Sequence, residues 1–417
     1  MGKQVMVGVE SFDELIEEDY FYVDKTLLIK ELMEKRGKVT LITRPRRFGK
    51  TLNMSMLKSF FDMSRDNNHL FSDLKIMAHG NIVEKHMGKY PVIFMTLKDV
   101  EENSFDRSVG RIRELVSEVF DSYLFVHESG ILNERQRDRF HALYMGKATE
   151  PDLKSAMKFL TECLHAYYKK GTVILIDEYD APINNALIEG YYTEMIKFMR
   201  GFLGSAFKGN NYLGFGVLTG VQRVSKEGLV SGFNNPKVCG IVDDEFSDCY
   251  GFTEEEVVAA CKQYGYGDRF CDVKKWYDGY RFGDRDMYNP WSIAQFLSRG
   301  KLQNYWANTG GISVLDDMFS KGSASLKNDI AGLLTDAPIK MAYDAHITYP
   351  IEYKNDNAFW SLLLNAGYLK PCAGSSGDTF YAELVNREVK DTFRSRIDLW
   401  FRRQQGEIRT TILEFVD

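Results

Sequence analysis

Residues 39–57 read Val39-Thr40-Leu41-Ile42-Thr43-Arg44-Pro45-Arg46-Arg47-Phe48-Gly49-Lys50-Thr51-Leu52-Asn53-Met54-Ser55-Met56-Leu57. The β-branched run at the start predicts a buried strand, and the apolar residues after Lys50 recur at helical spacing. A strand, a tight loop and a helix in this order are typical of a phosphate-binding P-loop, whose backbone N–H groups surround phosphates. The stretch therefore predicts nucleotide binding, although Arg44 stands where the usual pattern has its first glycine.

The closing Gly-Lys-Thr of this stretch assigns roles to individual residues. In a P-loop the lysine reaches the β and γ oxygens of the nucleotide and the hydroxyl of the next residue holds Mg²⁺. Lys50 is thus a predicted catalytic and ATP-binding residue, and Thr51 is a predicted metal ligand. The predicted ATP-binding residues are Arg46, Arg47, Phe48, Gly49, Lys50, Thr51 and Leu52. Because Gly-Lys-Thr alone occurs by chance in many proteins, the prediction depends on the strand before it and the helix after it.

A second apolar run ends in two carboxylates, in the order Val173-Ile174-Leu175-Ile176-Asp177-Glu178. This is the Walker B order, in which the end of a strand delivers Asp177 to the Mg²⁺ shell and places Glu178 to activate the attacking water. The alternative is a buried strand that happens to end in a solvated Asp-Glu pair. Asp180 either shapes the same site or caps the helix that follows.

A third strand is predicted over residues 212–220, and it ends in the polar residue Thr219. In P-loop ATPases of the additional-strand type, such a residue senses the γ-phosphate from the strand between the P-loop strand and the Walker B strand. Thr219 is therefore a predicted catalytic residue. Arg223 follows this strand. It is predicted to be an arginine finger that acts in its own chain or in a neighbouring one; the alternative is an ordinary surface arginine in a loop. Two more strands of a five-stranded parallel sheet are predicted over residues 90–97 and 237–242.

Composition limits the class of protein. The chain has 417 residues, 44% of them hydrophobic, which is enough for more than one core. The net charge of −6 means that the chain as a whole has no positive electrostatic potential. DNA remains a possible partner, but the overall charge does not support it. The six cysteines lack C-x-x-C spacing and indicate reduced thiols.

No apolar run approaches the roughly 18–20 residues that span a bilayer, and a signal peptide pattern is missing. We expect a cytoplasmic protein without membrane contact.

The pattern of elements divides the chain into three regions. Residues 1–249 are a predicted P-loop ATPase domain with a helical insertion at about 100–170. Residues 250–345 are a predicted helical domain of the lid or winged-helix sort, with Thr253 and Glu256 in a capping box and a hairpin or tight loop around Asp278-Gly279. Residues 346–417 predict an α+β region. The expected fold class is α/β: a P-loop NTPase of the additional-strand type with a five-stranded parallel core sheet, followed by a smaller, mostly helical region.

Several short motifs, taken in order, resemble the AAA-ATPase-like family of bacterial proteins. They run along about two-thirds of the chain and are Tyr22-Val23-Asp24-Lys25-Thr26, the P-loop from Arg44 to Thr51, Tyr90-Pro91-Val92, Ile176-Asp177-Glu178-Tyr179-Asp180, Leu218-Thr219-Gly220-Val221, Tyr250-Gly251-Phe252-Thr253, Tyr277-Asp278-Gly279-Tyr280 and Tyr288-Asn289-Pro290. In that family an arginine-rich loop replaces the first P-loop glycine. The resemblance implies that Lys50 and Thr51 bind phosphate and Mg²⁺, that Asp177 supports the metal and that Glu178 activates water.

Members of this family often carry a C-terminal nuclease-like domain of the PD-(D/E)XK superfamily. Such a site needs an Asp and then Glu-x-Lys, with the carboxylates holding Mg²⁺. Glu388-Val389-Lys390 and the upstream Asp378 have these residue types, but they fall where the family has its linker and on a predicted helix. We expect the chain to end before a nuclease-like domain, with 346–417 as the linker region.

Three hypotheses for function remain at this point. The first is Mg²⁺-dependent ATP binding and hydrolysis that moves the C-terminal region as a switch for an unidentified protein partner. The second is a module that organises protein contacts and uses nucleotide structurally or not at all. The third is a DNA-associated ATPase partner of a nuclease, which rests on the family resemblance.

Overall fold

The structure is a computed structural model that describes residues 2–224, 236–306, 324–344, 356–372 and 379–395. Within these ranges the strands are β1 Val39–Thr43, β2 Val92–Thr96, β3 Thr172–Asp177, β4 Leu213–Gly220, β5 Lys237–Cys239, β6 Tyr280–Phe282, β7 Arg285–Met287, β8 Ile339–Ala342, β9 Leu369–Pro371 and β10 Thr379–Leu384.

The helices of the described ranges cover both faces of the main sheet and build most of the second half. They are α1 Phe12–Glu17, α2 Leu27–Lys35, α3 Lys50–Phe61, α4 Asn68–Phe71, α5 Gly80–His86, α6 Phe105–Asp121, α7 Leu124–Glu128, α8 Glu134–Tyr144, α9 Glu150–Lys154, α10 Ala156–Tyr168, α11 Ala181–Glu189, α12 Tyr192–Phe207, α13 Glu254–Gln263, α14 Phe270–Tyr277, α15 Pro290–Arg299, α16 Ala324–Leu334 and α17 Asp356–Ala366. A last helix covers 387–395.

The main sheet has five parallel strands in the order β2-β3-β4-β1-β5. Every residue of β1 and β3 is buried, as expected for strands with helices on both faces. β4 lies between β1 and β3, with Ile42 opposite Thr219 and Ile176 opposite Leu218. The expected additional-strand order and the five-stranded parallel sheet are thus confirmed. The fifth strand is shorter than predicted and ends at Cys239.

Five helices, α6 to α10, connect β2 to β3 where helices were predicted. Helix α6 buries one stripe of residues at helical spacing and exposes the rest. The stripe contains Val109, Ile112, Leu115, Val116 and Phe120. This periodicity is what allows a helix to pack one face on a core while the other meets water. The interpretation of these helices as an insertion into a P-loop domain stays a prediction.

Capping starts two helices of the C-terminal half as the sequence predicts. The Thr253 side chain accepts a hydrogen bond from Glu256 N at 3.3 Å, and Glu256 Oε2 accepts one from Thr253 N at 2.9 Å, which completes a capping box. Asn289 Oδ1 accepts hydrogen bonds from the backbone of Trp291 and Ser292, and Pro290 occupies the first turn of α15.

The predicted hairpin exists, but its turn is at Gly283-Asp284, between β6 and β7, and not at Asp278-Gly279. Gly279 has φ 123°, and a Cβ there would stand 2.1 Å from the carbonyl oxygen of Val385. The glycine is therefore required by the close approach of the chain after β10. A sequence pattern cannot distinguish this reason for a glycine from a turn.

Buried apolar residues form two clusters. The larger one covers the main sheet and continues through the β6–β7 hairpin into a three-stranded antiparallel sheet, ordered β8-β10-β9, and α17. The smaller one is built by α13, α14 and α15. The C-terminal sheet thus packs as part of the ATPase-like core. The proposed domain bounds stay predictions. In the described residues, no helix is long and apolar enough to cross a membrane.

Candidate active site at the carboxyl edge of the parallel sheet

The loop from Arg44 to Gly49 connects β1 to α3, and its backbone explains the closing glycine. Gly49 is the N-cap of α3 with φ 79°, and a Cβ there would meet nothing within 4 Å. The left-handed backbone, and not a lack of space, therefore requires glycine. Arg47 also has a positive φ, of 69°. The turn directs the free N–H groups and the positive dipole end of α3 toward the space where phosphates would bind.

The side chain of Lys50 is only 3% exposed and has three oxygen partners. Its Nζ donates to the carbonyl oxygens of Arg44 at 3.2 Å and Pro45 at 3.1 Å, and it lies 3.2 Å from Glu178 Oε1. The P-loop lysine and the second Walker B carboxylate thus form an ion pair. Oxygens of a phosphate group could take the same positions around the ammonium.

Arg44 is fully buried and does not face the phosphate site. Its guanidinium donates to the carbonyl oxygens of Thr43, Cys239, Gly240, Glu245 and Phe246, at 2.8 to 3.2 Å. It also lies over the rings of Tyr250 and Phe282, 5.6 and 5.0 Å from their centroids. Burial lowers the pKa of Arg44. The arginine thus fastens the start of the P-loop to the chain that follows β5.

Asp177 lies at the end of β3 and is fully buried. Its Oδ2 accepts from Thr51 Oγ1 at 2.7 Å and from Thr96 Oγ1 at 3.5 Å, and its Oδ1 accepts from Thr219 Oγ1 at 2.5 Å. Burial raises the pKa of Asp177, with a further rise from Glu178, while the hydroxyls of Thr219 and Thr51 lower it. The ends of β2, β3 and β4 and the start of α3 therefore meet at one carboxylate.

Glu178 is the first residue after β3 and has a left-handed backbone, with φ 51°. A non-glycine residue in this conformation costs about 1–3 kcal/mol and is enriched at functional sites. The conformation lets consecutive carboxylates serve different partners, since Asp177 faces the threonine hydroxyls while Glu178 reaches Lys50. Residues 177–180 form what we call the Walker B turn.

Asp180 shapes the site, and its side chain does not cap α11. Its Oδ2 accepts from the backbone N–H groups of Val221 at 3.1 Å and Gln222 at 2.8 Å, and from Asn184 Nδ2 at 3.2 Å. Burial, with a smaller effect of Glu178, raises its pKa to about 6. Asp180 thus ties the Walker B turn to residues 219–224, which we call the sensor loop.

Arg223 lies in the sensor loop and is half-buried. Burial raises the pKa of Tyr343, which follows β8 in the C-terminal sheet, to about 12, and the nearby charge of Arg223 partly offsets this rise. Arg223 does not line the cavity that contains Lys50. Within its own chain the residue therefore faces the C-terminal region, and its role as an arginine finger stays a prediction.

A cavity of about 480 Å³ opens beside the P-loop. This is within the range of about 300–1,000 Å³ typical of small-molecule sites. All the predicted ATP-binding residues from Arg46 to Leu52 line it, together with Glu178. The ring of Phe48, however, is buried against Tyr280 and Phe282. Its backbone is therefore the part that can serve a ligand.

The other walls of the cavity come from segments that the sequence analysis did not assign to the site, although some of their residues belong to the family motifs at 22–26 and 250–253. They are the N-terminal segment 5–10, residues 21–23, Lys25, Lys98, Glu101, Cys249, Gly251, Phe252, Trp291 and Ala294. Five cationic side chains line the cavity, against three acidic ones: Lys25, Arg46, Arg47, Lys50 and Lys98 against Glu10, Glu101 and Glu178. The excess of positive charge suits an anionic ligand. The usable signals were the family motifs at 22–26 and 250–253 and the position of Lys98 just after a strand.

The cysteines show no disulfide. Cys249 lies within 4.8 Å of carboxylates of Glu31 and Asp248, a group whose residue types could hold a metal. Burial raises the pKa of Cys249 well above its usual value, so the sulfur is a thiol that donates to Glu31 Oε2 at 3.4 Å. Lys35 Nζ already pairs with Glu31 at 2.8 Å. The group is therefore satisfied by its own hydrogen bonds.

Glu388 and Lys390, the two described residues with nuclease-like types, have separate structural partners. Glu388 lies on the helix over 387–395 and is fully buried. It accepts from Ser292 Oγ and from the backbone N–H groups of Tyr305 and Trp306, at 2.5 to 2.8 Å. Lys390 pairs with Asp336 at 2.6 Å. Asp378 lies outside the described residues. Glu388 therefore anchors the last helix.

Comparison with known proteins agrees with this geometry. The sequence profile of the AAA-ATPase-like family, described as "Predicted AAA-ATPase", matches residues 6–230, more than half of the chain. A relative from Azotobacter chroococcum mcd 1, described as "Uncharacterized protein in vnfD 5'region", is 27% identical over 370 residues, which are 88% of this chain. The chain spans 64% of the length of that relative. With its P-loop, its Walker B turn and the strand between them on one parallel sheet, the chain belongs to the AAA-ATPase-like family.

Proposed function

We propose that the chain binds ATP with Mg²⁺ in the cavity beside the P-loop and hydrolyses it. One observation carries the proposal: Lys50, Thr51, Asp177, Thr219 and Glu178 converge at the carboxyl edge of the sheet, where Lys50, Thr51 and Glu178 line the cavity and Asp177 and Thr219 lie buried behind them. Ligands of open α/β sheets bind at this edge. The positive cavity charge and the N-terminus of α3 favour the triphosphate.

The oxygens at the end of β3 suit Mg²⁺. Thr51 Oγ1 and Asp177 Oδ2 are 2.7 Å apart, and hard oxygen donors of this kind are what Mg²⁺ prefers. These two residues would hold the ion. When bound, Mg²⁺ would neutralise charge on the phosphate oxygens. Thr219 would keep its hydrogen bond to the other Asp177 oxygen, so the carboxylate cannot rotate.

Glu178 is the proposed general base for the attacking water. In the structure its carboxylate lies 3.2 Å from the Lys50 ammonium. Phosphate oxygens would compete for the Lys50 ammonium and so release Glu178 to accept a proton from water. The Lys50–Glu178 ion pair thus keeps the base out of use until a phosphate arrives.

A conformational switch of the C-terminal region is the proposed output. Three P-loop residues contact that region directly: Arg47 lies over the Trp291 ring at 4.1 Å, Phe48 packs on Tyr280, and the Arg46 carbonyl oxygen accepts from Asn289 Nδ2 at 3.4 Å. A change of the loop on phosphate binding would therefore strain these contacts. The partner that reads the switch is proposed to be another protein.

The test is ATP binding and phosphate release with Mg²⁺. We expect Lys50→Ala to lose ATP binding, and Glu178→Gln to bind ATP with turnover reduced by about 10²-fold or more, as for loss of a general base. Glu189→Gln is the matched control, because Glu189 is an exposed carboxylate at the end of α11 and does not line the cavity. Normal turnover by Glu178→Gln would refute the role of Glu178.

The absence of both turnover and thermal stabilisation by ATP in the wild type would refute the ATPase function and favour a protein-contact module. Adding DNA to the assay tests the DNA-associated alternative.

A further inference from the structure

A buried series of hydrogen bonds leads from the Walker B turn to the C-terminal sheet. It begins where Tyr179 and Asp180 hold the sensor loop from two sides. Asp180 accepts from the N–H of Gln222 at 2.8 Å, while Tyr179 Oη donates to the carbonyl oxygen of Gln222 at 2.7 Å and accepts from Val224 N at 2.9 Å. All of these residues are buried. The backbone of Gln222 is therefore fixed directly by the two residues that follow Glu178.

The space around Gly220 shows how closely the two segments are joined. A Cβ on Gly220 would stand 2.5 Å from Asp180 Oδ1 and 2.8 Å from the ring of Tyr179. The backbone N–H of Tyr179 also donates to the carbonyl oxygen of Thr219 at 2.9 Å. In such close packing a displacement of the Walker B turn cannot be absorbed locally and must move the sensor loop.

The Gln222 side chain continues the series into the C-terminal region. Its Nε2 donates to the carbonyl oxygen of Leu362 at 3.4 Å, and its Oε1 accepts from Asn365 Nδ2 at 3.2 Å, both on α17. Asn365 Oδ1 in turn accepts from the hydroxyl of Tyr343, just after β8, at 3.1 Å. Gln222 and Asn365 are 4% and 7% exposed, so water cannot readily replace these bonds.

We propose that Gln222 and Asn365 couple the nucleotide state of the site to the C-terminal sheet, and that α17 responds when Lys50 exchanges Glu178 for phosphate. This inference rests on the proposed function and adds its route of regulation. The two carboxamides can pair only in matched orientations, since each has a defined donor and acceptor end. A moved sensor loop therefore either carries α17 with it or leaves buried amide groups unpaired, which is unfavourable.

The experiment measures amide hydrogen exchange of α17 and β8 in the full chain without nucleotide, with ADP and with a non-hydrolysable ATP analogue. In the wild type we expect the exchange rates of α17 to differ between the nucleotide states by about threefold or more, the range of coupling through buried networks. Asn365→Ala should abolish this difference and leave the affinity for the analogue within about threefold. Tyr343→Phe, a milder variant, should reduce the difference in the same direction.

Asn357→Ala is the matched control. Asn357 lies on the same helix and its side chain accepts from Ala342 N at 3.0 Å, away from Gln222. The Asn357→Ala protein should keep the nucleotide-dependent difference in the exchange rates of α17. An unchanged response in Asn365→Ala, or equal losses in Asn357→Ala and Asn365→Ala, would overturn the coupling role. Analogue binding without any change of exchange in the wild-type α17 would overturn the coupling and leave the ATPase proposal standing. No binding at all would overturn both.

Discussion

Replacing Arg44 by glycine restores the usual P-loop pattern, and we expect it to damage the protein. The arginine side chain is fully buried, donates to five backbone carbonyl oxygens and lies between two aromatic rings. Its partners belong to β1, to β5 and to the loop after β5. In Arg44→Gly these carbonyl groups lose their donors, and a cavity remains in the space of the side chain.

The expected loss of stability can be estimated from the environment of the Arg44 side chain. Hydrogen bonds to a charged group contribute about 1.5–3 kcal/mol each, but they are not additive, and the cost of burying the guanidinium offsets part of them. Removing one side of a buried charged network costs about 3–5 kcal/mol in measured cases. Glycine adds about 0.5–1 kcal/mol through its backbone entropy. We expect the free energy of unfolding to fall by about 3–6 kcal/mol, a large part of a typical stability of about 5–15 kcal/mol.

Urea unfolding followed by circular dichroism measures this loss, and ATP titration of the same variants measures the effect on the site. Arg44→Lys keeps the charge but offers at most three donors, so about half of the loss should remain. Arg46→Gly is the control, because Arg46 is an exposed residue of the same loop and its loss of stability should stay within about 1 kcal/mol, the backbone cost of glycine. An Arg44→Gly protein as stable as the wild type, with equal or tighter ATP binding, would refute the reasoning.

Two further predictions concern burial and close packing. Because burial raises the pKa of Asp180 from 3.8 to about 6, the folded chain holds a proton that the unfolded chain releases between these values, so stability falls as pH rises from about 4 to 6. Unfolding titrations should show a flatter pH dependence for Asp180→Asn, and an unchanged slope would contradict the assignment. Gly279→Ala should destabilise by about 3 kcal/mol or more, since its Cβ would overlap the carbonyl oxygen of Val385, whereas Gly146→Ala, with positive φ in open space, should cost about 1 kcal/mol. Equal losses in the two variants would mean that overlap is not the cause.

Much of the site could be predicted from local patterns. Lys50 and Thr51 were predicted from the Gly-Lys-Thr that opens a helix after a strand, and Asp177 and Glu178 from the carboxylates that follow an apolar strand. Because the carboxyl ends of parallel strands meet at one edge, these residues were expected to lie together. Thr219 was predicted from its residue type at a strand end and from chain order, and β4 does lie between the P-loop strand and the Walker B strand. These signals are short in sequence and carry their own chemistry, which is why they can be read without a structure.

Other parts could not be predicted, because their reasons lie far away in the chain. The role of Arg44 depends on carbonyl groups about 200 positions later, and that of Gly279 on the backbone of Val385. Asp180 had two possible roles in the sequence, and the neighbouring sensor loop decided between them. The cavity walls at residues 5–10 and at Trp291 carry no motif.

The sequence by itself determined the parallel α/β core, the P-loop and the Walker B turn, since hydrophobic periodicity and polar strand ends are local properties. Only the tertiary structure decided what the P-loop arginines contact, which segments close the cavity and how the sensor loop meets α17. Those relations join residues that are distant in the chain, and they follow from close packing and from the need to pair buried polar groups. Neither requirement is visible until the chain is folded.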